Sequence, residues 1–278
     1  MELLHKKIIR DALKEDIGRG DITSNCLIRS DKKSRFQLVV NENAILAGLE
    51  VFKQTFLLLD KNINVKSRYC DGKKIYKNSV VSEIVGNTRN ILKAERTALN
   101  FISHLSGIAT LTNELVGLIR GTGATLLDTR KTTPNLRCFE KLAVLAGGGE
   151  NHRLNLNEMI LIKDNHIANC KNIKEAILKS KLVRKKNIKI EVEVDSENFN
   201  DLLLAISGKP NIIMFDNWSK KDLRKALKLV PSGVKTEASG NINKTNIRGY
   251  AKTGVNYVST SYMIKNSRWI DFSLNAVK

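Results

Sequence analysis

Hydrophobic and polar positions change rhythm near residue 110. Before it, residues 3–14 carry Leu4, Ile8, Ala12 and Leu13 at helical spacing, and Gly18 and Gly20 follow as stop signals. Short apolar or β-branched runs at 36–40, 44–47, 63–66 and 80–85 are separated by polar turns and read as strands. A long helical pattern covers 91 to about 120, with Gly107 and Gly117 as expected soft spots. Strands bounded by turns, followed by one long helix, predict an α+β unit with antiparallel pairing.

After residue 110, apolar strand-like segments recur at 125–127, 159–162, 189–194, 212–215, 234–237 and 257–259. Helical patterns at 173–183, 198–206 and 220–229 lie between several of them. Strand–helix alternation of this length predicts a parallel α/β layout. Nearly every strand ends in a polar cluster: Asp128-Thr129-Arg130-Lys131, Lys163-Asp164-Asn165-His166, Glu193 with Asp195, Asp216-Asn217, Ser239-Gly240-Asn241 and Ser259-Thr260-Ser261. Functional groups gathered at the carboxyl ends of successive parallel strands mark a β/α-barrel site. Six strands suggest a barrel smaller or less regular than the eightfold form.

Composition narrows the class. With 278 residues, 42% of them hydrophobic, the chain can build a large core as one or two domains. No uninterrupted apolar run reaches membrane-spanning length, and the charged first ten residues do not resemble a secretory signal. Cys26, Cys70, Cys138 and Cys170 are scattered without a Cys-x-x-Cys pair, which points to a reducing, cytoplasmic setting and no zinc site. The formal charge of +19 invites a nucleic-acid reading. Its lysines are dispersed and aromatics are only 5%, so no base-stacking basic stripe exists, and the charge reads mainly as a solvated surface.

Each cluster has a structural and a chemical reading. Arg130-Lys131 is either a surface ion-pairing dipeptide or a fork plus a point charge for carboxylate and phosphate. Gly147-Gly148-Gly149 is either a helix stop or part of a donor loop continued by His152-Arg153, and it matches no dinucleotide fingerprint. Lys163 at a strand end needs an anion or a partner such as Asp164. Glu191 and Glu193 alternate with valine and share a strand face, where Mg²⁺, ribose hydroxyls or a lysine would offset their burial. Asp216 is a second such carboxylate. Ser239-Gly240-Asn241 and Ser259-Thr260-Ser261 end the last two strands, where barrel phosphate sites often form.

Together these pieces resemble the quinolinate phosphoribosyltransferase family. The motifs are the stretch 12–23, Glu95-Arg96-Thr97-Ala98-Leu99-Asn100-Phe101, Leu105-Ser106-Gly107-Ile108-Ala109-Thr110, and Leu127-Asp128-Thr129-Arg130-Lys131-Thr132. They continue through the stretch 147–153, the stretch 161–167, Glu191-Val192-Glu193-Val194 and Ser239-Gly240-Asn241, in the family's order over nearly the whole chain. The resemblance implies an N-terminal α/β sandwich domain at 1–110, joined by about 267–278, and an incomplete β/α barrel at 111–266. It also implies a homodimer, open to further assembly, in which Arg96 crosses to the partner's site. Arg130, His152, Arg153 and Lys163 match positions for the two quinolinate carboxylates, and Lys131 lies between substrate and pyrophosphate. Glu193 and Asp216 match residues at the ribose and Mg²⁺, with Ser239, Gly240, Asn241, Ser259 and Ser261 near the 5′-phosphate. Many relatives carry Gly where Asn135, Asn241 and Ser261 stand here.

The implied reaction joins quinolinate to phosphoribosyl pyrophosphate with loss of CO₂, giving nicotinate mononucleotide for NAD biosynthesis. A site dense in cations suits two polyanionic substrates, and no nucleophilic triad is needed. The rival expectations are a nicotinate-specific phosphoribosyltransferase, a related protein linked to molybdenum transport, and a nucleic-acid-binding protein. Neither nucleic acid nor membrane is an expected partner.

Overall fold

A computed structural model describes all residues except 1, 2, 184, 186, 197 and 278, and leaves the side chains of Leu3 and Leu4 undescribed. The expected place of Leu4 on the first helix's apolar face therefore lies outside the described residues. Two helices, α1 (Leu3–Ile17) and α2 (Ile22–Leu27), lead into β1 (Lys33–Val40), β2 (Ala44–Ile45) and α3 (Leu49–Leu57). Then come β3 (Asn64–Ser67), β4 (Lys74–Ile75), β5 (Val80–Asn87) and the 32-residue α4 (Thr88–Ile119). Beyond it run β6 (Thr125–Leu127), α5 (Arg137–Ala146), β7 (Ile160–Ile162), α6 (Asp164–Ile167) and α7 (Ile173–Val183). The remainder is β8 (Ile190–Val194), α8 (Phe199–Gly208), β9 (Ile212–Asp216), α9 (Lys220–Leu227), β10 (Lys235–Ser239), α10 (Ile247–Ala251), β11 (Tyr257–Ser259), α11 (Tyr262–Lys265) and β12 (Phe272–Val277).

The chain divides into two compact units: residues 1–113, 132–148 and 263–278, and residues 114–131 with 149–262. The first unit holds an antiparallel sheet in the order β12-β1-β5-β3. Strand β1 alternates in burial, so Phe36, Leu38 and Val40 enter the core, as period-two patterning requires. Helix α3 adds Val51, Phe52 and Phe56, the two rings meeting edge to face at 5.1 Å. On α1 the buried positions are Ile9 and Leu13, so the inward face is turned one residue from the Ile8–Ala12 line expected of the sequence.

Two expectations about this unit change. The segment 132–148, placed in the barrel by sequence, packs in the first unit. Its helix α5 buries Phe139, Ala143 and Val144, with Phe139 5.7 Å from the Phe101 ring on α4. His104 Nε2 also meets Glu140 Oε1 at 2.9 Å. Burial pushes the Glu140 carboxyl up, but hydrogen bonds from His104 and Thr133 outweigh it and hold Glu140 below the usual range. Gly107 is not a soft spot either. Helix α4 runs through it, and a Cβ there would stand 2.1 Å from the Arg268 carbonyl oxygen. The glycine admits the C-terminal segment against the helix, where Ile270 N donates to Ser103 O at 3.1 Å.

In the second unit, six parallel strands follow the order β6-β11-β10-β9-β8-β7. Their helix-facing sides are apolar: Val192, Val194, Ile213 and Phe215 are buried, and Trp218 donates its indole N–H to Val194 O at 3.0 Å. Helices α8 and α9 start on side-chain caps, Asn198 accepting from Asp201 N and Ser219 from Asp222 N. The outer strands β6 and β7 are not paired to each other; instead Glu150 forms a parallel bridge with Leu127 on the free edge of β6. Among the described residues no helix is long and apolar enough to cross a membrane.

The approach at Gly107 predicts that Gly107→Ala costs about 1–3 kcal/mol of stability, the usual range for an overpacked core. Thermal or urea unfolding measures it, and a wild-type midpoint would mean that the C-terminal segment yields without loss.

Candidate active site

Because all six strands run parallel, their carboxyl ends lie along one rim, and the polar clusters of the sequence share it. Arg130 follows β6 and Lys163 follows β7, at opposite ends of the strand order. Both nevertheless line one cavity of about 560 Å³, with Arg153 and an apolar wall that includes Leu156 and Met159. The sheet is therefore curled, and the stretch 149–159 fills the gap between its outer strands. Arg153 Nη1 donates to Met159 O at 3.0 Å, while its Nε is buried with no hydrogen-bond partner among the described residues. Burial and the neighbouring Arg130 charge both push the Arg153 guanidinium down, and Glu191 partly offsets them.

Beneath these cations lies a chain of buried acids. His152 is held from behind, its backbone N donating to Asp128 Oδ1 at 2.8 Å, and Asp128 is itself fully buried. Its ring Nε2 meets Glu191 Oε2 at 2.7 Å and stands 3.8 Å from Glu237 Oε2. Desolvation raises Glu191 to about 7, although Arg153 and Lys163 oppose it. Glu237, also fully buried, is raised to about 8 by desolvation and by the Glu191 charge. As an ionised carboxylate Glu237 has no hydrogen-bond partner for either oxygen among the described residues. As a neutral acid it donates to Glu191, which places the proton of this pair on Glu237. The donor atoms of His152, Glu191 and Glu237 lie within 4.8 Å of one another, but a 2.7 Å histidine–carboxylate contact is a hydrogen-bond length and holds a proton.

Further along the rim Lys163 Nζ pairs with Glu193 on β8. Burial raises the Asp216 carboxyl at the end of β9, Lys163 and Lys131 lower it, and Asp195 adds a like charge. Its neighbours are therefore two of the expected cations. Asn217, Gly240 and Asn241 all take left-handed backbone, at φ 57, 91 and 49. Asn135 does so too, at φ 66. Asparagine is the side chain that tolerates this region best after glycine, which suits Asn135, Asn217 and Asn241 to these turns.

Two family models cover most of the chain: "Quinolinate phosphoribosyl transferase, N-terminal domain" matches residues 21–106, and the corresponding C-terminal domain matches 108–275. The chain belongs to the quinolinate phosphoribosyltransferase family. A Bacillus subtilis protein named probable nicotinate-nucleotide pyrophosphorylase (carboxylating) is 40% identical over 270 residues, covering 97% of this chain and 92% of that protein. A Synechocystis protein of the same name is 36% identical over 269 residues, covering 96% and 90%. The solved nicotinate-nucleotide pyrophosphorylase from Francisella tularensis aligns with a TM-score of 0.92 at 41% identity, covering 99% of this chain and 96% of that one. The expected two-domain fold, with a small N-terminal domain and a C-terminal parallel-strand domain, is that of this family.

Within this family member, Arg130, Lys131, Lys163, Glu193, Asp216, Ser239, Gly240, Asn241 and Ser261 fall in the second unit on or just after strand ends, and His152 and Arg153 lie in the 149–159 stretch of the same unit. Arg96 lies in the first unit, exposed on α4. Ser259 is 2% exposed and stands on the inward face of β11, the face that Glu237 and Ser239 occupy on β10. Sequence reasoning gave Glu237 no role, named Asp128 and Asn217 only as members of strand-end clusters, and read Glu191 only beside Glu193 as a carboxylate on one strand face. An acid in the middle of Lys235-Thr236-Glu237-Ala238-Ser239, on the same face as the strand-end serine, was the available signal for Glu237.

The acid pair makes stability pH-dependent. Both carboxyls sit above their ordinary 4.5 in the folded state, so the folded chain holds protons that the unfolded chain releases. Their contribution is complete below about pH 4.5 and declines as pH rises through 7 and 8. Glu237→Gln keeps the shape without the charge and is expected to flatten the fall in melting temperature between pH 5 and pH 8. An unchanged slope would place the titration elsewhere.

Proposed function

We propose that this chain transfers the phosphoribosyl group of phosphoribosyl pyrophosphate to quinolinate with loss of CO₂, yielding nicotinate mononucleotide and pyrophosphate for NAD biosynthesis. The observation that carries this reading is that Arg130, Arg153 and Lys163 line one cavity, with Arg130 adding a like charge beside Arg153. A dianion suits such a cluster of cations, and quinolinate has two carboxylates. Arg130, His152, Arg153 and Lys163 hold them, with His152 set in place by Asp128 and Glu191.

The opposite side of the rim takes the sugar phosphate. Ser239, Gly240, Asn241 and Ser261 face the 5′-phosphate with hydroxyls and exposed backbone, while Lys131 lies toward the pyrophosphate. Glu193 and Asp216 end neighbouring strands, and their hard oxygen donors fit a hydrated Mg²⁺ carried with the donor substrate. When bound, that ion neutralises charge building on the departing pyrophosphate. As the C1–O bond breaks, the carboxylates of Glu193 and Asp216 stabilise the positive charge on the ribose. The quinolinate ring nitrogen bonds to C1 and becomes cationic. The adjacent carboxylate then leaves as CO₂, its electron pair remaining on the ring carbon, which takes a proton from solvent. The residues act by position and charge, and none forms a covalent intermediate.

A homodimer with shared sites is part of the same reading, supported by Arg96 standing exposed on α4. Incubating the protein with Mg²⁺ and phosphoribosyl pyrophosphate, and comparing quinolinate with nicotinate while following CO₂, tests the activity. Turnover of nicotinate alone would favour the non-decarboxylating rival. Arg153→Ala is expected to lose about 2–4 kcal/mol of transition-state stabilisation, on the scale of one preorganised donor, or roughly 30- to 1000-fold in kcat/KM. Unaltered kcat/KM would remove the assignment of Arg153. Inactive Arg96→Ala and Arg153→Ala chains should regain partial activity on mixing. Absence of complementation despite proven subunit exchange would argue for self-contained sites.

A further inference from the structure

The loops after β9 and β10 are joined by one side chain that the reaction as derived does not use. Asn217 Nδ2 donates to Asp216 Oδ2 at 2.8 Å, and its Oδ1 accepts from Asn241 Nδ2 at 2.9 Å. Its backbone N donates to Ser239 O at 3.0 Å. The amide can point only one way: a carboxylate accepts but does not donate, so the NH₂ end faces Asp216 and the oxygen faces Asn241. Gly240 closes the arrangement. A Cβ on it would stand 2.3 Å from Asn217 Oδ1 and 2.7 Å from Asn217 N, so the glycine backbone packs directly on the asparagine. On the far side, Asn241 O accepts from Asn246 Nδ2 at 3.0 Å, and Asn246 Oδ1 accepts from Asn243 N at 2.9 Å. Three residues in left-handed backbone, Asn217, Gly240 and Asn241, are thus braced against each other rather than left to relax separately.

We propose that Asn217 is a positioning residue for the phosphoribosyl donor: its amide ties the Asp216 carboxylate to the 239–241 loop, fixing the distance between ribose and phosphate subsites. The inference rests on the proposed function, which puts Asp216 at the ribose and the 239–241 loop at the 5′-phosphate. One sugar phosphate spans both, so a donor bound to two independently moving loops would lose the benefit of preorganisation. Quinolinate, held by the arginines on the other side of the rim, makes no demand on this brace. The brace therefore acts on one substrate and not the other.

Three variants cut it at different points. Asn241→Gly keeps left-handed backbone and the Asp216 bond but removes the loop end. Asn217→Asp keeps an acceptor for Asn241 but sets a carboxylate against Asp216. Asn217→Gly removes both ends while suiting φ 57. Initial rates with each substrate varied in turn give separate KM values. The loss of one such hydrogen bond corresponds to about threefold to tenfold. Asn241→Gly is expected to raise KM for phosphoribosyl pyrophosphate about threefold, and because Asn241 also faces the phosphate, only its failure to add to Asn217→Gly assigns that rise to the brace. Asn217→Gly should raise it about tenfold and also lower kcat, because Asp216 is released. KM for quinolinate stays within twofold in both, and the double variant is no worse than Asn217→Gly alone. Equal rises in both KM values, multiplicative effects in the double variant, or an Asn217→Gly KM within twofold of wild type would each overturn the brace. If Asn217→Gly does not fold, Asn217→Asp decides the question: a raised donor KM with quinolinate KM within twofold supports the brace, and equal rises in both KM values overturn it. Wild-type protein that ignores phosphoribosyl pyrophosphate sinks the functional reading itself, whereas active wild type with indifferent variants removes only this inference.

Discussion

The gathering of Arg130, Arg153 and Lys163 on one cavity is the constraint around which the rim of the second unit is organised. Burial and the Arg130 charge both push the Arg153 guanidinium down, and its Nε is buried with no hydrogen-bond partner among the described residues. Carboxylates stand among these cations. Glu191 feels Arg153, Glu193 is paired to Lys163, and Asp216 feels Lys163 and Lys131. The rim is therefore an alternation of cations and carboxylates, poised for substrates that carry several charges of their own.

The same logic reaches into the barrel interior. Glu237 and Glu191 cannot both ionise so close together in a site with so little water, so Glu237 retains its proton and Glu191 serves His152. Asp128, from the neighbouring strand end, fixes the backbone of the same histidine. His152 is consequently held by two acids on two strands, and its ring orientation belongs to the sheet rather than to the loop that carries it. The folded state accepts a pH-sensitive buried pair as the consequence of that rigidity.

The first unit solves a different problem, packing a long helix against both a returning helix and the chain end. Gly107 and Gly147 are the contact points: added Cβ atoms would meet the Arg268 carbonyl at 2.1 Å and the Ala109 carbonyl at 2.5 Å. The buried His104–Glu140 pair fixes α5 to α4 in the same unit, with the carboxylate kept ionised by its hydrogen bonds. Glycines that look like helix breakers in a linear reading are here the sites of closest backbone approach.

Strand and helix periods, the polar cluster after each strand, and the motif order were legible from the residues alone, because those depend on local sequence. They determined the antiparallel first half, the six-strand parallel second half, and which charged and polar residues follow the strands. Tertiary structure decided what local pattern cannot encode: which segment joins which unit, as with 132–148, and which side chains meet across strands. Strand order alone puts Arg130 and Lys163 at opposite ends, and only the curl of the sheet brings them to one cavity. Asn217 makes the same point: the sequence sets it beside Asp216 at a strand end, and only the fold brings Asn241 of the next loop to its side chain. Sequence names the chemistry at each strand end, but the distances between strand ends are properties of the assembled sheet.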